Sequence, residues 1–315
     1  MTTLEGSAPI PADLYLARLS PGSRPSIRSA LRSLARILSE GQSDARALSW
    51  QSLRYAHTQT LRARLAESYA PATANHYLSA LRGVLQECWT LGLLSAEDYH
   101  RAVGIKPVPG TSPPSGRALS ASELGSLLAV CNESSVAGVR DAALFSILYG
   151  AGLRRSEAVA LELQDHDPAE QTLGVRKGKG GKFRKVYLTG RARECLSRWR
   201  ALRGDTPGAL LCAVDARGRI RPGQMTAQAV YYRVRRRAAQ AGLELLSPHD
   251  FRRTFVSHLL EAGVDIATVQ QMAGHQNIQT TARYDRRGES AKRKAADLLW
   301  LPLDSAAPGG AAPGR

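Results

Sequence analysis

A segment rich in proline and glycine, GIKPVPGTSPPSGRALS, interrupts the chain between Gly104 and Ser120. Neither residue type continues a helix or a strand easily, and this composition is typical of linkers. Helical apolar periodicity occurs on both sides of it, so two domains are predicted. The predicted parts are a helical first domain over residues 1–103, a linker over 104–117, a second domain over 118–303 and a disordered tail over 304–315.

Helices dominate the pattern in both predicted domains. One helix of the first domain carries apolar residues on one face and basic residues on another: Ile27, Leu31, Leu34 and Leu38 against Arg28, Arg32 and Arg36. In the second domain, Ser120 and Glu123 form a capping-box pattern, and Gly150 and Gly152 separate two helices. The stretch TLGVRKGKGGKFRKVYL is typical of a β-hairpin, because turn-forming glycines separate two strand-like runs. The predicted fold class is mainly α with a small antiparallel β-sheet, an α+β fold.

The net charge of the chain indicates which class of partner it binds. Lysine and arginine number 43 against 27 aspartate and glutamate residues, which gives a net charge of +16 and favours nucleic acid as a partner. The N-terminus lacks a basic segment followed by an apolar stretch, and no apolar run approaches the ~18 residues of a membrane span. The four cysteines are scattered without zinc spacing and are expected to be reduced packing residues. We therefore expect a cytoplasmic, nucleoid-associated protein that binds DNA and no membrane.

The segment SPHDFRRTF is predicted to begin a helix, with Ser247 as its N-cap and Pro248 in its first turn. His249 and Arg252 are three residues apart and share a face of that helix. The N-terminus of a helix favours an anion, so this pair predicts a phosphate-sized site. The alternative is a surface histidine beside a solvated arginine.

Two further segments carry basic candidates. Arg154 and Arg155 emerge at the start of the helix that follows Gly152, and adjacent residues point about 100° apart, so at most one faces a given site. Lys179 lies in the glycine-rich turn of the hairpin, where a lysine can reach a ligand. The surrounding basic residues also fit a stripe of contacts to a nucleic-acid backbone. Candidate DNA contacts of this kind are Arg155, Arg176, Lys177, Lys182 and Arg184.

The segment GHQNIQTTARYDRRG combines a histidine and a tyrosine with several arginines. His275 alone fits a buried, hydrogen-bonded histidine. Tyr284 has a polar and strongly basic neighbourhood, which is unusual for a core aromatic residue. The neighbouring arginines are expected to hold DNA: Arg283, Arg286 and Arg287.

Several enzyme classes do not fit this set of residues. Acidic residues near the candidates are single, whereas two-metal phosphodiester chemistry needs clustered carboxylates. No Gly-x-x-x-x-Gly-Lys-Ser/Thr loop for ATP occurs, and no aromatic-rich strand motif supports an RNA-binding protein. Fixed cations and histidines can stabilise a pentavalent phosphorane while a phenol attacks as a covalent nucleophile.

Taken in order, these motifs resemble those of the phage-integrase family of tyrosine recombinases. AGLRRSE is similar to the first arginine box of the family, GKG to its hairpin lysine, HDFR to its His-x-x-Arg box and AGHQNIQTT to its Gly-His box. The first box assigns Arg154 rather than Arg155. The catalytic residues that the resemblance implies are Arg154, Lys179, His249, Arg252, His275 and the nucleophile Tyr284.

The resemblance implies an N-terminal core-binding domain and a C-terminal catalytic domain that close as a C-shaped clamp around DNA. It implies site-specific recombination through a 3′-phosphotyrosyl intermediate, with chemistry like that of type IB topoisomerases and without ATP, metal or another cofactor. The expected partners are double-stranded DNA with a specific core site, further copies of the chain in a synaptic homo-tetramer assembled from monomers, and an accessory directionality factor. SAKRKAADLLWL is the candidate segment for docking on a neighbouring protomer. A non-catalytic DNA-binding protein and a topoisomerase that reseals one strand remain as alternatives.

Overall fold

The chain divides into two compact units, Met1–Ser115 and Gly116–Arg315. The computed structural model describes residues 9–110, 116–131, 134–176, 183–285, 293, 296, 297 and 299. The predicted tail over residues 304–315 and most of SAKRKAADLLWL lie outside these residues. In the part that is described, no helix has both the length and the apolar character needed to cross a membrane.

The first unit is a helical bundle in its described part. Its helices are α1 (Pro11–Arg18), α2 (Arg24–Leu38), α3 (Tyr55–Ser68), α4 (Pro71–Thr90) and α5 (Ala96–Val103). The long helix α4 packs against the other four. Ile27, Leu31 and Leu34 of α2 are buried as their spacing predicts, and Leu38 is half-buried. The exposed arginines of the same helix are Arg28, Arg32 and Arg36. Burial of this apolar stripe stabilises the bundle.

The second unit is built around one buried helix. Its described helices are α6 (Ala121–Ala129), α7 (Val136–Gly150), α8 (Arg155–Ala160), α9 (Gly190–Arg203), α10 (Ala227–Gln240), α11 (Pro248–Glu261), α12 (Ile266–Ala273) and α13 (Ile278–Ala282). α7 is buried over nearly its whole length and packs against α9 and α11. The ring centroids of Phe145 in α7 and Phe251 in α11 are 5.4 Å apart. The predicted capping box of α6, between Ser120 and Glu123, is confirmed.

Two small antiparallel sheets complete the second unit, so the prediction of a mainly helical α+β fold is confirmed. The strands of the predicted hairpin are β2 (Thr172–Val175) and β3 (Arg184–Tyr187), and β1 (His166–Asp167) extends their sheet. The expectation of a single sheet is wrong, because β4 (Cys212–Val214) pairs with β5 (Ile220–Gln224). β5 is mostly exposed and contains Pro222 and Gly223, two residue types that are uncommon within strands, so the sequence did not predict it.

Candidate active site

The first turn of α11 presents two of the predicted site residues. Ser247 is the N-cap and Pro248 the first helical residue, as predicted. The Asp250 carboxylate accepts hydrogen bonds from the backbone N–H and the hydroxyl of Ser247, both at 2.8 Å. This bond fixes the helix start, where His249 is exposed and Arg252 is buried at 2% exposure. Arg252 is therefore not the solvated surface arginine that the alternative interpretation would require.

The turn between α7 and α8 holds Arg252 in place. Gly152 has a φ of 58°, in the left-handed region that other residues rarely adopt. A Cβ atom at this position would collide with the ring of Phe255. The carbonyl oxygen of Gly152 accepts a hydrogen bond of 2.7 Å from Nη1 of Arg252. The glycine thus lets the backbone approach α11 and orient the guanidinium.

Arg154 follows this turn as the N-cap of α8. Its Nη1 donates to Oε1 of Glu157 at 2.6 Å, and its Nη2 donates to the carbonyl oxygen of Gly274 at 2.9 Å. The neighbouring Arg155 is exposed. These contacts tie the start of α8 to the segment that carries His275, and they distinguish Arg154 from Arg155.

Glu157 is a buried carboxylate that links two arginines, and sequence reasoning did not assign it a role. Besides Arg154, it accepts hydrogen bonds from Nη1 and Nη2 of Arg184 at 3.1 and 2.8 Å. Burial opposes ionisation of Glu157, but the hydrogen bonds from Arg184 and from the backbone N–H of Arg154 outweigh it and lower its pKa to about 2. Glu157 is therefore an anion that holds two cations at fixed positions.

The predicted DNA contact of Arg184 does not fit the structure. Only 13% of its side chain is exposed, and two of its nitrogens are occupied by Glu157. Gly274 lies against the guanidinium, where an added Cβ would be 3.0 Å from Nη1. Arg184 is therefore linked to Arg154 through Glu157 and packs against Gly274 instead of facing solvent. The sequence suggested that Arg184 is a surface residue because it follows a basic turn. Its pairing with Glu157 depends on the tertiary fold and could not be predicted from the neighbouring residues.

The segment after α12 brings the histidine and the tyrosine together. Nδ1 of His275 is 2.8 Å from Oγ1 of Thr281 in α13. The ring centroids of His275 and Tyr284 are 6.3 Å apart. The hydroxyl of Tyr284 lies 3.3 Å from Nε2 of His249. The short helix α13 was missed in the sequence, although Asn277 is its N-cap and accepts from the backbone N–H of Gln279.

The electrostatics of the site keep both histidines neutral. Burial, followed by the charges of Arg252 and Arg154, lowers the pKa of His275 to about 3. Although the side chain of His249 reaches solvent, partial desolvation of its ring by the surrounding protein, followed by the charge of Arg252, lowers its pKa. The pKa of Arg252 falls to about 9 because of burial and the charge of Arg154, so this arginine remains a cation at neutral pH. The site thus combines charged arginines with neutral imidazoles.

The other predicted DNA contacts have varied surroundings. Arg155 and Arg283 are exposed, and the half-exposed side chain of Arg176 is paired with the buried Asp165. Tyr231 of α10 is a residue that the sequence did not suggest: it lines a cavity of about 400 Å³ together with Arg154, Arg155 and His249. The predicted residues outside the described part of the chain are Lys177, Lys179, Lys182, Arg286 and Arg287.

Known proteins resemble this chain in sequence. Residues 117–290 match the model of the phage integrase family. The chain is 34% identical over 223 residues to the tyrosine recombinase XerD of Pseudomonas aeruginosa, covering 70% of this chain and 73% of that protein. It is 34% identical over 244 residues to the tyrosine recombinase XerC of Azotobacter vinelandii, covering 75% of this chain and 76% of that protein.

Solved structures share the fold. The Tn1549 transposon integrase in complex with transposon right end DNA aligns with a TM-score of 0.67 at 18% identity, over 92% of this chain and 99% of that one. A lambda integrase dimer bound to a core site aligns with a TM-score of 0.65 at 14% identity, over 93% and 96%. The family match and the recombinase relatives identify an enzyme that breaks and rejoins DNA strands. The chain belongs to the phage integrase family of tyrosine recombinases.

Proposed function

We propose that this chain is a site-specific DNA recombinase whose nucleophile is Tyr284. The observation that carries the proposal is the contact of 3.3 Å between the Tyr284 hydroxyl and Nε2 of His249, beside the buried Arg252. The phenol oxygen attacks the phosphorus atom of a DNA phosphodiester and forms a 3′-phosphotyrosyl bond. The bond from phosphorus to the 5′-oxygen breaks, and that oxygen leaves with the electron pair.

Arg154 and Arg252 hold the non-bridging oxygens of the phosphate. Arginine suits this task because its planar guanidinium carries several N–H donors. Nη1 of Arg252 is fixed by Gly152, while Nη2 is buried and has no hydrogen-bond partner in the described part of the chain. A buried N–H without a partner is costly, so the site gains when a phosphate oxygen accepts from it. Charge that develops on the phosphorane oxygens is stabilised by the same donors.

The two histidines divide the remaining work. His249 accepts the Tyr284 proton and returns it when the reaction reverses, since its lowered pKa leaves it unprotonated at neutral pH. His275 is anchored through Nδ1 to Thr281, and its Nε2 donates a hydrogen bond that orients the phosphate. Both roles require neutral imidazoles, which burial and the surrounding arginines favour.

Lys179 protonates the leaving 5′-oxygen as the general acid. The support for this role is the family resemblance and the position of Lys179 in the turn between β2 and β3, a turn that lies outside the described residues. A DNA with a 5′-bridging phosphorothiolate tests it, because sulfur leaves without protonation. Cleavage of that DNA by Lys179→Ala should be close to the wild-type rate. A variant that stays inactive on it would remove Lys179 from this role.

Strand exchange follows from the energy kept in the phosphotyrosyl bond. The 5′-hydroxyl of a second strand attacks this bond, releases Tyr284 and rejoins the backbone, so joining needs no ATP. Double-stranded DNA with a specific core site is the partner, and the charge of +16 supports this partner. The exposed arginines of α2 are candidates for DNA contacts by the first unit. Monomers assemble on two duplexes as a homo-tetramer, and an accessory factor sets the direction of exchange.

The covalent step is tested with a pool of nicked suicide duplexes that carry randomised core sequences. Wild type should give protein–DNA adducts that survive denaturant and disappear with protease, and sequencing the trapped DNA would identify the site. Tyr284→Phe should give none. Tyr187→Phe is the matched control, because Tyr187 is an exposed tyrosine of the same unit and should leave adduct formation unchanged. An adduct formed by Tyr284→Phe would assign the nucleophile to another residue.

A further inference from the structure

Arg253 is a buried arginine beside the candidate nucleophile for which the motifs give no role. Only 6% of the residue is exposed, and its Cζ atom lies 5.6 Å from the centroid of the Tyr284 ring. His249 and Arg253 are four residues apart in α11, so they lie on the same face one turn from each other. One face of α11 therefore presents an imidazole to the phenol oxygen and a guanidinium to the phenol ring.

The partners of Arg253 do not explain why it is buried. Oδ1 of Asp250 is a carboxylate oxygen 3.9 Å from Nη1, and that oxygen also accepts from the backbone N–H of Arg117. Nε and Nη1 of Arg253 are buried and have no hydrogen-bond partner in the described residues. Burying a cation with so little compensation opposes folding. The ring of Tyr284 is a contact that can stabilise this buried charge.

We propose that Arg253 is a positioning residue for Tyr284. Its guanidinium supports the face of the ring, which holds the hydroxyl at His249, and it stabilises the negative charge that develops on the phenol oxygen as the proton leaves. A cation over an aromatic ring is attracted by the negative face of the ring, and more strongly where water is excluded. The inference rests on the proposed function, because it takes Tyr284 as the nucleophile.

The test compares Arg253→Met, which keeps an unbranched chain without charge, with Arg253→Lys, which keeps the charge. Each variant is mixed with the suicide duplex, and the single-turnover rate of adduct formation at saturating DNA is measured together with the Kd. Arg253→Met should lower the rate by roughly 10- to 30-fold, as expected from loss of a desolvated cation–π contact. Its Kd should stay within about twofold of wild type. Arg253→Lys should recover the rate to within about threefold of wild type.

Arg237→Met is the matched control for stability, since Arg237 is a largely buried arginine of the same unit that pairs with Asp141. It should lower the unfolding midpoint and leave the cleavage rate of the folded protein unchanged. If Arg253→Met does not fold, Arg253→Gln takes its place.

Three outcomes would overturn the inference: a wild-type rate in the uncharged variant, equal rates in the lysine and uncharged variants, or a raised Kd with a normal rate at saturating DNA. The last outcome would make Arg253 a DNA contact. Failure of the proposed function would give a different result, namely a covalent protein–DNA adduct formed by Tyr284→Phe.

Discussion

Glu157 is predicted to contribute a large part of the stability of the second unit through its charge. Its side chain is 2% exposed and bonds to both Arg154 and Arg184. Glutamine has nearly the shape of a protonated glutamate, so Glu157→Gln removes the charge and keeps the volume. The fall of the Glu157 pKa from 4.5 to about 2 corresponds to roughly 3 kcal/mol of folding free energy at neutral pH. We expect this loss in Glu157→Gln.

The pH dependence of this loss follows from its sign. The folded-state pKa of Glu157 is lowered, so its contribution is complete above the unfolded value of 4.5 and disappears as the pH falls toward about 2. The free-energy difference between wild type and Glu157→Gln should shrink by about 1.4 kcal/mol per pH unit in that window.

Urea unfolding followed by circular dichroism, at several pH values, measures this difference. Glu244→Gln is the matched control, because Glu244 is an exposed carboxylate of the same unit whose loss should leave the midpoint unchanged. Equal midpoints for the two variants at pH 7, or a free-energy difference that does not shrink in acid, would contradict the prediction.

Two further predictions concern the supports of the site. Gly152→Ala should destabilise the protein by about 2 kcal/mol or more, because alanine disfavours the positive φ and its Cβ would meet Phe255; Gly125→Ala, a helical site with open space around it, should not lower the thermal midpoint. His275→Gln should flatten the pH dependence of unfolding. The lowered pKa of His275 means that wild type loses stability as the pH falls from 6.5 to about 3, the window in which the unfolded chain binds the extra proton. An equally steep acid loss in His275→Gln, measured by urea unfolding, would contradict this.

Local signals in the sequence were sufficient for several elements of the fold. The Ser247–Pro248 start of α11 and the capping box of α6 depend only on residues within one helical turn, and both are found as predicted. The second sheet was missed because β5 faces solvent and lacks the apolar alternation that marks a strand. Whether a short exposed segment forms a strand depends on its partner strand and on the turn between them, and local residue propensity does not contain this information.

The site shows the same division between local and tertiary information. The structure brings Arg154, His249, Arg252, His275 and Tyr284 together, and their motifs in the sequence suggested this grouping. The pairing of Glu157 with Arg184 spans 27 residues and could not be read from spacing. The position of Arg253 in the site could have been predicted from the sequence. Residues four apart share a helical face, and Arg253 follows His249 at that interval in α11. Which ring it would meet depends on the placement of α13 and the turn after it.

The balance of charges in the site links its structure to its chemistry. Arg154, Arg184 and Arg252 lie around one buried carboxylate, Glu157, so positive charge is in excess before DNA arrives. Burial and this excess of positive charge lower the pKa of His275 to about 3 and keep its imidazole neutral, as its proposed hydrogen bond to phosphate requires. In the proposed mechanism, a bound phosphate supplies negative charge and accepts a hydrogen bond from Nη2 of Arg252. The arginines, together with burial, disfavour protonation of the histidines, so in the proposed mechanism they also keep a proton acceptor available beside Tyr284.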